Sequence, residues 1–304
     1  MILPSRSAED DAPSRTALPL AYLATGLAMV AFAGNSLLCR AALRHTAIDP
    51  ATFTSLRLVS GAASTWLLVR ARGGAVGGSW ISALFLFAYA AGFSFAYRSL
   101  PAALGAFLLF ASVQATMVLA GLRRGERLAG RQWGGLVLAL AGLAGLLVPG
   151  LTAPPLAASG LMLAAGAAWG CYSLRSRGAG DALGATAGNF LRAAPLALGL
   201  SLLGRPWARV DPAGAGLAAL SGALASGLGY ALWYAAMGRL RATAAATVQL
   251  SVPVLTALAG VVLLGEPVTP RLVGASLAIL VGLALVLRGP AAGSRGLEGL
   301  DRGV

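Results

Sequence analysis

The sequence has few ionisable residues, and their positions exclude several classes of protein. Charged residues make up 11% of the 304 residues, against about 25% in a soluble domain. None of the ten acidic residues falls in the middle of a long apolar stretch. This distribution argues against an intramembrane aspartyl protease and against a carrier that moves protons on a carboxylate within the membrane.

Residues for other kinds of chemistry are also scarce. The one histidine, His45, lies in a predicted loop and has no serine partner within the membrane. Cys39 and Cys171 lie in apolar stretches of different halves, where we expect packing residues rather than a disulfide. The sequence contains no Gly-x-Ser-x-Gly motif, Walker loop, Cys/His cluster or nucleotide fingerprint. We therefore predict a protein that is not an enzyme and that uses no cofactor and no metal.

Apolar stretches long enough to cross a bilayer recur along most of the chain. Hydrophobic residues make up 58% of the sequence, and the mean hydropathy is +0.78. We predict an all-α polytopic membrane protein, with polar, disordered tails at 1–18 and 289–304. The ten predicted transmembrane helices are 19–39, 50–69, 79–97, 101–122, 132–149, 156–174, 182–203, 213–238, 242–264 and 271–287.

The arginines predict the orientation of these helices. All 23 basic residues are arginine, and with the N-terminus in the cytoplasm the cytoplasmic segments hold 15 of them and the outer segments hold 6. The positive-inside rule then places both termini in the cytoplasm, and we expect a bacterial inner-membrane protein. We expect the arginines behind the net charge of +13 to contact membrane lipid rather than nucleic acid.

An internal repeat divides the chain into two related halves. Residues 100–147 align without a gap on residues 240–287, and the most specific matches are Gly125-Glu126 with Gly265-Glu266. Because each half has five predicted spans, the second half enters the membrane from the opposite side. Inverted repeats of this kind allow the same packing to open outward or inward, as in many transporters.

Several motifs resemble the EamA-type branch of the drug/metabolite transporter superfamily. The residues that carry the resemblance are Ala33-Gly34-Asn35-Ser36, Leu56-Arg57-Leu58, Ala168-Trp169-Gly170-Cys171-Tyr172, Pro253-Val254-Leu255-Thr256-Ala257 and Gly265-Glu266-Pro267. The first half departs from the family pattern in two positions. Ala33 stands where tryptophan is common, and Val113 occupies the position that corresponds to Pro253 in the second half. The resemblance implies two inverted five-helix repeats, at 19–149 and 156–288, and export of amino acids, other metabolites or drugs.

Two arginines lie deep in predicted spans and are candidates for substrate binding. At about 1.5 Å per residue, Arg57 lies about 10 Å and Arg192 about 15 Å from the start of its span, and the two match across the halves at an offset of 135. A buried guanidinium needs a partner, so each arginine either binds a substrate carboxylate or phosphate or holds backbone carbonyls. Exchange of phosphate esters would require both arginines in one cavity.

Amides and aromatic side chains supply the remainder of a predicted midplane site. Each of them either contacts the substrate or forms a hydrogen bond between helices. Gln114 and Tyr89 are the strongest candidates because both lie near the middle of central helices. The other predicted substrate-binding residues are Asn35, Trp169, Tyr230, Trp233 and Tyr234. We expect Glu126 and Glu266 to cap helices or to pair with Arg127 or Arg271 at an exposed rim.

The sequence therefore predicts an alternating-access transporter for a small amphipathic metabolite such as an amino acid. We expect it to export this substrate as a facilitator or an exchanger. We expect the protein to be a monomer or a homodimer. The alternatives are a broad-specificity drug efflux carrier and a non-transporting membrane scaffold or lipid-binding protein.

Overall fold

The computed structural model describes residues 17–125, 128–147, 154–176, 180–237 and 248–287, and in these ranges every regular element is a helix. Helix α8 is continuous and has three segments, Pro212–Leu220, the π-helical Ser221–Leu228 and Gly229–Met237. The other helices are α1 (Ala17–His45), α2 (Pro50–Ala71), α3 (Trp80–Tyr97), α4 (Ala102–Arg123), α5 (Gly130–Leu147), α6 (Leu156–Ser176), α7 (Ala182–Leu203), α9 (Ser251–Leu264) and α10 (Pro270–Leu287).

Acidic and hydroxyl side chains define where several helices begin. Asp49 accepts backbone hydrogen bonds in the first turn of α2, and Asp181 and Asp211 do the same for α7 and α8. Ser79 caps α3 by accepting from the backbone N–H of Ser82. These caps satisfy backbone donors that have no partner inside the helix.

Helices of the two halves interleave throughout the bundle. Helix α2 packs against α7, α6 packs against both α3 and α4, and α1 packs against α8 and α9. Helices α5 and α10 pack mainly against each other, at one side of the bundle. A Cβ added at Gly135 of α5 would lie 2.5 Å from the carbonyl oxygen of Gly282 of α10, so only glycine permits this approach.

The described helices confirm the all-helical class. Five stretches are long and apolar enough to cross a membrane, namely Tyr22–His45, Trp80–Tyr97, Ala102–Arg123, Leu156–Ser176 and Pro212–Tyr234. Helices α9 and α10 contain shorter apolar stretches. The predicted tails lie almost wholly outside the described residues, as do Glu126 and Arg127.

Candidate functional site

Arg57 lies in the interior of the bundle and is 1% exposed. Its Nη2 atom donates to the Tyr89 hydroxyl over 3.0 Å, and its Nε atom lies 3.4 Å from the Ser226 hydroxyl oxygen. The guanidinium carbon is 5.0 Å from the ring centre of Tyr89 and 4.9 Å from that of Phe93. The charge is therefore held by aromatic faces and by neutral hydroxyl groups.

Nη1 of Arg57 is buried and has no hydrogen-bond partner in the part of the chain that the structure describes. Within the same residues, the ion pairs are those of Arg40 with Glu266 and of Arg72 with Asp181, and neither includes Arg57. A buried guanidinium with an open donor and no counter-anion is costly in a medium of low dielectric constant. The arrangement is suited to an anion that supplies both the acceptor and the charge.

Tyr89 connects Arg57 to a second chain of polar groups. The Asn35 Nδ2 atom also donates to the Tyr89 hydroxyl, over 3.1 Å. The Ser221 hydroxyl in turn donates to Asn35 Oδ1 over 2.7 Å. These contacts join α1, α3 and α8 through buried side chains, so the orientation of Tyr89 depends on both halves of the protein.

Aromatic rings form the wall beside this polar chain. The Trp169 ring centre lies 4.9 Å from that of Tyr89 and 5.1 Å from that of Tyr230. Phe32 contacts both Tyr230 and Trp233 edge-on, with ring centres about 6 Å apart. The cavity bounded by Asn35, Tyr89, Phe93, Trp169 and Tyr230 among others has a volume of only about 20 Å³, enough for about one water molecule.

The π-helical segment of α8 places Ser226 against Arg57. The Ser226 hydroxyl donates to the carbonyl oxygen of Ser221, five residues earlier. A Cβ at Gly222 would lie 2.1 Å from the carbonyl oxygen of Arg57, so the two backbones meet where a larger residue has no room. Such π segments within α-helices occur frequently at functional sites.

The structure gathers six of the nine predicted site residues around one cluster, with Tyr234 at its margin and the other two apart. Arg57, Asn35, Tyr89, Trp169 and Tyr230 form the cluster, and Trp233 reaches it through Phe32. Tyr234 is half-buried and packs against the core from the following position of α8.

Gln114 and Arg192 lie elsewhere. Gln114 is 2% exposed and faces a separate cavity between α4, α5, α6 and α10. The Arg192 Nη1 atom donates to the carbonyl oxygens of Gly77 and Gly188, over 2.7 and 2.8 Å. The pair of arginines that phosphate-ester exchange would require is therefore not brought together in this structure.

The expectation for Glu266 was right about helix capping and wrong about the ion pair and the exposed rim. Glu266 is 4% exposed rather than at an open rim, and its partner is Arg40 rather than Arg271. Its second oxygen accepts from the backbone N–H of Ala102, the first residue of α4. Arg40 lies at the end of an apolar stretch, a position that predicts a contact with lipid headgroups. The sequence spacing therefore does not predict its pairing with Glu266.

Phe93, Ser221 and Ser226 also belong to the cluster and were missed. Phe93 follows Tyr89 by one helical turn, a spacing that could have predicted its contact with Arg57. Ser221 and Ser226 lie in a run of small residues that suggests close helix packing, and the sequence carries no signal of the π-helical register that directs them inward.

Outside the spans, three aspartates have lowered pKa values. Burial acts to raise the pKa of Asp49, but hydrogen bonds from Thr52, Ala51 and Arg209 outweigh it and hold the value below the usual one. Backbone hydrogen bonds at the start of a helix, first from Gly184 and from Gly214 respectively, lower the pKa of Asp181 and of Asp211.

The chain is similar to a family model, to a curated protein and to a solved structure. The model of the EamA-like transporter family matches residues 156–288. A Pseudomonas aeruginosa protein described as uncharacterized is 56% identical over 280 residues, which are 91% of this chain and 97% of that protein. A solved crystal structure of 21% identity has a TM-score of 0.63 and covers 90% of this chain and 97% of its own. The chain therefore belongs to the EamA-like transporter family, a family of membrane transporters in the drug/metabolite transporter superfamily.

Proposed function

We propose that this protein is a secondary transporter that carries a small amphipathic carboxylate, such as an amino acid, on Arg57. The observation that carries the proposal is the buried Nη1 of Arg57, which has no partner among the described residues. A carboxylate would accept from this atom and would neutralise the charge at the same time. The rings of Tyr89, Trp169 and Tyr230 would contact the apolar part of the substrate.

The helix contacts support an inverted repeat of two five-helix halves, 19–149 and 156–288. A two-fold axis in the membrane plane would exchange each helix with the one five positions later. The contacts of α3 and of α4 with α6 correspond under this exchange to those of α8 and of α9 with α1. The pairs α2/α7 and α5/α10 correspond to themselves. A ten-span transporter of this symmetry would expose the Arg57 cluster alternately to the two sides.

We propose further that transport is export across a bacterial inner membrane with both termini in the cytoplasm. The direction is what the resemblance of the sequence motifs implies, and the orientation rests on the arginine distribution. The buried carboxylate among the described residues, Glu266, is paired with Arg40 at the end of α9 rather than in mid-span. This supports a facilitator or exchanger over a carrier that moves protons on a midplane carboxylate.

Transport by purified protein in vesicles tests the proposal. We expect saturable uptake of one class of amino acids or related carboxylates and none of their methyl esters, which lack the negative charge. Arg57→Ala should abolish saturable uptake. Arg192→Ala is the matched control, because Arg192 holds backbone carbonyls and should affect stability more than transport.

Two outcomes would contradict the proposal. Equal uptake of the acids and their methyl esters would favour a broad-specificity efflux carrier. Absence of saturable uptake from a folded protein, over a wide panel of carboxylates, would favour a scaffold or lipid-binding protein. A proton flux strictly tied to substrate flux would reject the facilitator or exchanger mechanism alone.

A further inference from the structure

A second cavity lies away from the Arg57 cluster, between the core of the bundle and the α5/α10 pair. We call it the seam cavity. Its volume is about 210 Å³, and it shares no lining residue with the cavity beside Arg57. Residues of α4, α5, α6 and α10 line it, among them Ser112, Gln114, Ala115 and Leu140.

Gln114 supplies an unused hydrogen-bond donor at this cavity. The side chain is 2% exposed, and its Nε2 atom has no partner among the residues that the structure describes. Ser112, the other polar residue of the lining, already donates to the carbonyl oxygen of Leu163 over 2.6 Å. A buried donor without an acceptor is destabilising, so an acceptor placed in the cavity would recover stability.

We propose that the seam cavity binds a neutral, apolar molecule that presents one carbonyl or hydroxyl oxygen to Gln114. The molecule is neutral because no charged residue is among those lining the cavity in the described part of the chain. It is apolar because the remaining wall is aliphatic. Ordered water is a poor alternative, because a cavity of about 210 Å³ would hold several waters that each need two to four polar partners, and the polar side chains of this wall in the described residues are those of Gln114 and Ser112.

The ligand would arrive from the bilayer. Leu140 lines the cavity and is also 49% exposed on the outer surface of α5, so the wall at this point separates the cavity from lipid. A bound molecule would contact the core helix α4 together with both α5 and α10. It would therefore hold the peripheral pair against the core, independently of any substrate at Arg57.

Photolabelling with benzophenone tests the proposal, because this probe is an apolar ketone that reacts with nearby C–H bonds on irradiation. In full-length protein in lipid nanodiscs, we expect adducts concentrated on the lining residues of α4, α5 and α10. Gln114→Leu should reduce this labelling about fivefold or more by removing the hydrogen bond. Gln249→Leu, at a buried glutamine outside the cavity, is the matched control and should leave the labelling unchanged.

A second variant separates loss of the site from loss of folding. Ala115→Phe fills the cavity from α4 and should also reduce the labelling, in protein whose melting temperature shows that it is folded. The proposal is overturned if both folded variants are labelled like the wild type. It is also overturned if labelling of the seam cavity does not exceed that of lipid-facing residues such as Val262, which is 79% exposed.

Discussion

Arg40 and Glu266 form a buried ion pair between the two halves of the chain, with Nε and Oε1 3.0 Å apart and side-chain exposures of 7% and 3%. The Arg40 Nη1 atom also donates to the carbonyl oxygens of Tyr97 and Arg98, at the end of α3. The second oxygen of Glu266 accepts from Ala102 at the start of α4. One pair of charges thus holds the ends of α1, α3, α4 and α9 together, at the side that the arginines predict to face outward.

Arg40→Ala should strongly destabilise the protein. It leaves the Glu266 carboxylate buried without its counter-charge, a change that costs about 3–5 kcal/mol in the free energy of unfolding. Chemical unfolding in detergent measures the loss. The control is Arg72→Ala, which breaks the exposed pair between Arg72 and Asp181 and should cost less than about 1 kcal/mol. Equal losses of unfolding free energy in the two variants would mean that the buried pair stabilises the protein no more than the exposed pair does.

Tyr89→Phe should destabilise the protein and impair transport. The substitution removes the hydroxyl that accepts from both Arg57 and Asn35, and so leaves two further buried donors without an acceptor. We expect a loss of about 1–3 kcal/mol in unfolding free energy together with weaker substrate binding. Thermal melts and uptake assays measure these effects. Tyr22→Phe is the control because Tyr22 is 64% exposed, and a similar defect in that variant would refute the assigned role of Tyr89.

Gly222→Ala should disrupt the contact between α2 and α8. The added Cβ would lie 2.0 Å from the Ser60 hydroxyl oxygen and 2.1 Å from the Arg57 carbonyl oxygen, so the helices must separate. We expect a loss of about 1–3 kcal/mol and reduced uptake. Gly216→Ala lies on the same helix with nothing within 4 Å of the added atom and should be neutral or slightly stabilising. If the two variants behave alike, the helices are not packed as described.

Asp49→Asn should lower stability in a pH-dependent way. The folded pKa of Asp49 is below its usual value, so its ionised form contributes stability above that usual value and loses it as the pH falls through the folded pKa. At pH 7 the variant should be less stable by about 0.3–1 kcal/mol, the worth of a negative charge at a helix N-terminus. Melts between pH 7 and pH 3 should show this difference shrinking, and a constant difference would exclude the charge as its cause.

The helices follow from the sequence more closely than the site does. Long apolar stretches predict α2 and α8 because this signal lies within each helix itself. Helix α1 runs to His45, six residues past its predicted end, because Arg40 is paired by Glu266 instead of facing water. The partner of Arg40 lies 226 positions away, where a local pattern carries no information about it.

The candidate site could be predicted only in part. The cost of a buried charge singles out Arg57 and Arg192 equally, and only the fold supplies one with aromatic rings and the other with carbonyl oxygens. The same holds for Gln114, whose mid-span position predicts burial but not which cavity it faces. Composition and spacing give the kinds of residue at a membrane site, and helix packing decides which of them meet.

The cavity that Tyr89, Trp169 and Tyr230 line holds about one water molecule, so this closed arrangement and a bound metabolite exclude each other. Apparent affinity then equals the intrinsic affinity multiplied by the fraction of molecules that are open. Substitutions that tighten the rings of Tyr89, Trp169 and Tyr230 raise the melting temperature and weaken apparent affinity together. Selection for heat resistance alone would therefore enrich poor transporters.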